Sequence, residues 1–318
     1  MFTLLLSGCS GASFIEDVDG IKIDIAEWPY NSKKVVCFTW DDSSTGHTRS
    51  TADLMGQFGY PSTFYIITSR LAIPGIEDEC EYALSLDNEL ASHSVSHPLF
   101  ASISPSEVDY ELRKSAEDIK EHFGVTPSTF GHPYRHNDDY DDLVEKYYMT
   151  SRYRAQETIP GVLVHVFNHR DTYDSLSKLY GEFIHNEDYS WLLFKGHGLS
   201  SDTLGECYEP LDSIDFRRFL GLMKADASSE VITMEDVMMY YEIKQNVSIV
   251  HEEGTVFVNT DAMNALLSRY SHPKAIITLL IKGANPVLSS EAIVDVRYDD
   301  TSSIVTLDLR RGNTLSIL

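Results

Sequence analysis

Between residues 33 and 243, short runs of β-branched and aromatic residues alternate with longer stretches whose apolar positions recur every three or four residues. The runs predict strands at 34–40, 62–68, 89–92, 128–131, 147–153, 162–167, 191–195 and 231–233. The clearest helix starts at Ser104-Pro105-Ser106-Glu107. Ser104 suits an N-cap, Pro105 the first helical position, and Glu107 completes a capping box. Val108, Leu112, Ile119 and Phe123 then mark an apolar face, and Gly124 a stop. Such alternation predicts an α/β fold with a mainly parallel sheet or barrel, whose strand C-terminal ends carry function. After residue 241 the texture changes. Residues 247–250, 255–258, 276–281, 292–298 and 304–309 read as strands, with a helix at 261–270 and a hairpin loop at 299–303. The expected organisation is a lead-in at 1–32, a (β/α) barrel at 33–245 and a small, mainly β region at 246–318. Every motif described below precedes 246, so residues 1–245 are expected to fold and keep their chemistry alone.

Charge narrows the partners. With 49 acidic and 25 basic residues the net charge is -24, which argues against nucleic acid but not against a neutral polymer such as a glycan. Leu6-Ser7-Gly8-Cys9 resembles the lipobox of bacterial lipoproteins, although no Lys or Arg stands among the eight residues before Cys9. That resemblance implies export to the cell envelope and a lipid anchor at Cys9; a coincidental match implies a cytoplasmic protein. Cys37 reads as a buried strand thiol. Cys80 and Cys207 stand in polar sequence, where an exported protein could pair them.

The chemistry sits at the strand ends. The first ends in Asp41-Asp42, the third in His93-Ser94-Val95-Ser96-His97-Pro98, the fourth in Gly131-His132-Pro133-Tyr134-Arg135, and a later one in Lys195-Gly196-His197-Gly198. A helical turn at 93–97 would put both imidazoles on one side, able to close on one ion. Two histidines and a carboxylate leave positions open, as catalytic zinc requires. Two adjacent acids can then divide the work, one binding metal and the other facing the attacking water. Each piece alone is weak: Asp-Asp is commonly a turn, and a lone His-x-x-x-His is commonly a core or solvated pair. Their convergence on one barrel face is what makes a site. The same donors describe a non-haem iron triad, which leaves Asp41 and His197 without roles.

These motifs resemble the polysaccharide deacetylases, the NodB-homology domain of carbohydrate esterase family four. Thr39-Trp40-Asp41-Asp42 is similar to the family's Thr-Phe-Asp-Asp, and His93 to Pro98 follows its His-Ser/Thr-x-x-His-Pro. Pro61 to Tyr65, Trp191 to Gly198 and Val231 to Met234 are similar to further family segments, so the likeness spans about residues 33–243. It implies a distorted (β/α) barrel, a divalent metal (commonly zinc), and a hydrolase that releases acetate from an acetylated glycan, N-acetyl before O-acetyl. It implies Asp41 as general base, Asp42, His93 and His97 as metal ligands, His197 as general acid, and the Tyr134 backbone N–H as oxyanion donor. His132, Arg135, Trp191 and Arg154 are expected on the substrate side. Two departures stand out. Gly131 occupies the place of an arginine that tunes the base in many members, so Asp41 is expected to lack a nearby cation and to be a stronger base. Arg135, Arg152 and Arg154 are candidate replacements. The family's Asp-x-x-Asp-Trp is absent, leaving the orientation of His197 open. A non-catalytic glycan-binding protein on the same scaffold is the alternative reading.

Overall fold

A computed structural model describes residues 20–200, 206–283, 287–298 and 302–317. Cys9 and most of the expected 299–303 loop lie outside them. The described chain forms two compact units, Lys34–Glu235 and the residues before and after it.

In chain order the strands begin with β1 (Lys22–Ile25), which the hydrophobic pattern does not mark, and β2 (Val35–Asp41). There follow β3 (Thr63–Ile66), β4 (Glu89–Ser92), β5 (Thr129–Phe130), β6 (Thr150–Ser151), β7 (Val162–Val166) and β8 (Trp191–Gly196). Short β9 (Leu199–Ser200) and β10 (Leu211–Asp212) pair with each other, and β11 (Glu230–Val231) pairs with β2. The main sheet has the order β6-β5-β4-β3-β2-β8-β7, with parallel pairing throughout. Its helices are α1 (His47–Gly56), α2 (Ile76–Ser85), α3 (Pro105–Phe123), α4 (Asp141–Tyr147), α5 (Arg152–Thr158), α6 (Tyr173–His185) and α7 (Ser213–Asp226). This is the α/β, mainly parallel arrangement that the pattern predicts, curled as the distorted (β/α) barrel that the resemblance implies.

Both faces of β2 are covered, and they are covered differently. Val36, Phe38 and Trp40 face the helices, where Phe38 stacks on Phe194 at 4.9 Å and meets Phe216 edge-on. Thr39 and Asp41 alternate onto the opposite face. Segment 147–153 departs from the expected strand. Only Thr150–Ser151 is extended, because Ser151 Oγ accepts from Arg154 N at 3.1 Å and starts α5. Cys80, on the inner face of α2, is buried in the core, and Cys37, Cys80 and Cys207 are all free thiols, so the pairing of Cys80 with Cys207 does not form.

In the other unit, α8 (Met234–Asn246) leads into β12 (Ser248–Glu252), β13 (Thr255–Asn259), α9 (Asn264–Arg269) and β14 (Ile276–Lys282). Then come β15 (Leu288–Ser289), β16 (Ile293–Tyr298), β17 (Ser302–Asp308) and β18 (Thr314–Ile317). They form two four-stranded antiparallel sheets, β1-β14-β17-β16 and β12-β13-β18-β15. No helix among the described residues is long and apolar enough to cross a membrane.

Candidate active site

Asp41 ends the inward row of β2, and its partner, Arg152, is the first residue of α5. Arg152 Nη1 and Nη2 donate to Asp41 Oδ1 and Oδ2, both at 2.7 Å, and Nη1 also reaches Thr39 Oγ1 at 2.9 Å. The guanidinium lies over the Tyr65 ring, 4.6 Å from its centroid. A Cβ at Gly131 would stand 3.0 Å from that same ring, so no larger residue fits there without displacing Tyr65. The arginine absent at 131 is thus supplied by Arg152. Burial pushes the Asp41 carboxyl up, but Arg152, His93 and His197 outweigh it and hold it well below the usual range. The expectation of a stronger base is therefore overturned: Asp41 has its cation.

Asp42 turns away. At φ 79 it leaves the strand in the left-handed region, and Arg70 Nη1 holds its carbonyl oxygen at 2.8 Å. Its Oδ1 lies 3.5 Å from both His93 Nε2 and His97 Nε2. The histidines meet across an irregular bend, not the expected helical turn, with Ser94 at φ 67 and His97 at φ 58. Glu111 of α3 clamps that bend, its carboxylate accepting from Val95 N, Ser96 N and Ser96 Oγ at 2.8, 2.8 and 2.7 Å. His93 Nδ1 is 2.7 Å from Gly131 O, so it carries the proton and leaves Nε2 free as a ligand. Burial pushes His93 down to about 4 against the pull of Asp41, and it also lowers His97. Neutral imidazoles are the form that binds metal.

The donor set fits a divalent ion. Ligand atoms at roughly 2.0–2.2 Å from a tetrahedral centre stand about 3.3–3.5 Å apart. Asp42 Oδ1, buried and without a hydrogen-bond partner among the described residues, keeps that spacing from both imidazoles. Positive φ values at Asp42, Ser43, Ser94, His97 and Tyr134 gather backbone strain around this one place, as functional sites do.

Asp41, Asp42, His93, His97 and Tyr134 line one cleft of about 840 Å³, together with His132, Arg135, His136, Arg152, Tyr153, Lys195, His197 and Tyr208. Tyr134 is 73% exposed and leans over the His97 ring at 4.6 Å. His197 follows β8 and meets Tyr208 edge-on at 5.0 Å. Its buried Nδ1 has no hydrogen-bond partner among the described residues. Gly198 must be glycine, since a Cβ there would fall 2.4 Å from His47 Nδ1.

Two expected substrate contacts are corrected. Trp191 is 0% exposed at the start of β8, the end remote from His197, so it cannot touch substrate. Arg154 turns to Asp141 and Glu157 and is not among the cleft residues. His132 and Arg135 do line it. Sequence reasoning missed Glu111, Lys195 and His136. Burial and the Arg152 charge lower Lys195 to about 8 against the pull of Asp41. His136 could have been found, because His132-x-x-x-His136 repeats the spacing of His93 and His97.

Residues 29–151 match the family model for polysaccharide deacetylase. A curated relative, chitin deacetylase 1 of Cryptococcus neoformans, is 30% identical over 116 residues, 36% of this chain. The match spans only 24% of that protein's length. A solved structure from Mycobacterium smegmatis, described as a candidate polysaccharide deacetylase, has a TM-score of 0.50 at 13% identity. It covers 67% of this chain and 92% of its own, a likeness of fold alone. A family 4 carbohydrate esterase from Streptomyces lividans, solved with acetate, gives a TM-score of 0.46 at 19% identity, covering 62% and 91% of the two chains. The stretch matched by the polysaccharide deacetylase model carries Asp41, Asp42, His93 and His97.

Proposed function

We propose that the protein is a metal-dependent hydrolase that removes acetyl groups from an acetylated glycan, preferentially N-acetyl groups, and releases acetate. The observation that carries this reading is the Asp42 carboxylate oxygen standing 3.5 Å from two imidazole nitrogens, beside an ionised Asp41. Asp42, His93 and His97 would hold the ion, and zinc suits two imidazoles and a carboxylate with positions left open. When bound, such an ion lowers the pKa of water and polarises a carbonyl.

The remaining steps belong to the chain. Asp41 accepts the proton of the attacking water, and Arg152 fixes its orientation through two hydrogen bonds. The Tyr134 backbone N–H donates to the developing oxyanion; donors so placed are worth roughly 3–4 kcal/mol each in measured cases. His197 delivers a proton to the leaving nitrogen or oxygen. An amide needs that proton most, because an amine anion leaves poorly. The exposed Tyr134 and Tyr208 rings offer apolar faces to a sugar at the cleft mouth.

A second reading, glycan binding without turnover, is favoured by one feature: no described residue hydrogen-bonds His197 Nδ1 to orient the ring. The test measures acetate released from chitin, peptidoglycan and acetylated hemicellulose oligomers, under nitrogen, before and after chelation. The activity of the curated relative makes chitin oligomers the first substrate. Acetate release that chelation stops and zinc restores, without oxygen, is expected. Binding with no acetate from any of the three would establish the second reading. Strict oxygen dependence would mean an iron oxygenase.

A further inference from the structure

A second group of metal-type donors stands apart from the set assigned above. His132, His136 and Asp141 each place one donor atom within 4.8 Å of the other two. His132 is only 9% exposed, and both of its ring nitrogens are buried without a hydrogen-bond partner among the described residues. Whatever its tautomer, a neutral imidazole has one N–H to donate and one lone pair to offer. Its neighbours do not answer that need: Phe130, at 5.1 Å, and Phe100, at 6.1 Å, present only rings. The third ring beside it is His136, at 4.7 Å and 89°, so the two imidazoles meet edge to face.

His136 is held as metal-binding imidazoles are. Its Nδ1 lies 2.9 Å from Asp138 Oδ1, and the Tyr153 ring stacks on it at 3.9 Å and 15°. A carboxylate on Nδ1 fixes the ring and leaves Nε2 for an ion. Asp141 Oδ1 is 2.7 Å from that Nε2, while Arg154 Nε stands 3.5 Å from Asp141 Oδ2. Two ligand atoms of one ion sit farther apart than 2.7 Å, so binding releases the proton of this hydrogen bond to solvent and replaces the hydrogen bond with two bonds to metal.

We propose that His132, His136 and Asp141 bind a second divalent cation, one of the later first-row transition metals. Two imidazoles with one carboxylate suit zinc, cobalt, nickel or copper, and do not suit calcium or magnesium, which take oxygen donors. His132 and His136 line the same cleft as Asp42, so the ion adds positive charge to the His132 side of the substrate cleft.

The full-length chain is stripped of metal and titrated with cobalt(II), read by its visible absorption. Zinc stoichiometry follows by equilibrium dialysis and elemental analysis. Two ions per chain are expected in the wild type, one in His136→Ala, one in His93→Ala and none in the double variant. Circular dichroism confirms that each variant is folded, and His136→Gln replaces His136→Ala if the latter is not. Asp141→Asn should weaken the second ion without touching the first. A wild type that saturates at one ion, kept in His136→Ala and lost in His93→Ala, overturns this site and leaves the proposed function standing. One ion lost in His136→Ala and kept in His93→Ala supports this site and overturns the proposed function instead.

Discussion

Asp41 receives both hydrogen bonds of one guanidinium, and that pairing decides over what range it can act as a base. A carboxyl whose folded pKa is depressed contributes stability at pH values above its unfolded value of ~3.9. That contribution is lost as pH falls through the folded pKa, so across the neutral range it is fully present. Arg152→Gln should therefore cost about 3–5 kcal/mol at pH 7, the usual effect of stripping a buried charge of its partner. Urea denaturation measures it. Burial, no longer opposed by Arg152, then raises the Asp41 carboxyl. The kcat/KM profile of the variant should fall off at a higher pH on its acid side than that of the wild type; coincident acid limbs would show that Arg152 does not tune Asp41. The two acids were legible in sequence because they are contiguous and end a strand. Arg152 was one of three candidates, since it stands 111 residues from Asp41 and sequence distance says nothing of which arginine lies on Tyr65. Trp191 is not resolved by sequence, because a large aromatic near a motif reads alike whether it fills a core or faces a sugar.

At the scale of elements, α3 does more than cover the sheet. Its start was readable to the residue: Ser104 N donates to Glu107 Oε2 at 2.7 Å, Glu107 N to Ser104 Oγ at 3.4 Å, and Gly124 closes the helix at φ 72. Glu111 was hidden in the same helix. It stands three residues after Val108, on the buried face, and a carboxylate there was the available signal that something polar lay beneath. What lies beneath is the 93–97 bend. Glu111→Gln keeps the shape but sets an amide N–H against the donors of that bend. It should lower affinity at the His93–His97 site by ~10–100-fold, as loss of an outer-shell partner does. Competition with a chromophoric chelator reads this directly, and unchanged affinity would reduce Glu111 to a structural role. The misread strand at 147–153 has a similar lesson: β-favouring tyrosines flank a serine that caps a helix, and capping won.

At the scale of the whole molecule, the two units are not consecutive in sequence. β1 pairs with β14 across some 250 residues, and a four-residue strand ahead of the first long apolar run gave no warning of it. That the main sheet is parallel was legible, because alternating β and α segments imply crossover connections. The N-terminal strand was not, because its partner is chosen by tertiary packing. Truncation after residue 245 removes β14 and uncovers Ile23, which is buried, and the backbone N–H of Ala26, which donates to Thr278 O at 2.9 Å. A 1–245 chain should therefore aggregate more than the full chain, contrary to the expectation from sequence. A chain starting at Lys34 and ending at Asn246 should be the more soluble fragment and keep metal at Asp42, since the cleft residues fall between them. Light scattering and metal content of the two fragments decide.

The central claim is that two adjacent acids hold different jobs, and one paired measurement tests it. Asp41→Asn and Asp42→Asn are compared for bound metal at the His93–His97 site and for acetate release from chitin oligomers. Asp41→Asn should keep the metal and lose turnover by ~10²–10⁴-fold, the worth of a positioned base. Asp42→Asn should weaken the metal itself, because an amide oxygen is a poorer ligand than a carboxylate. Metal lost from Asp41→Asn and kept in Asp42→Asn, or full activity in both, would contradict the account.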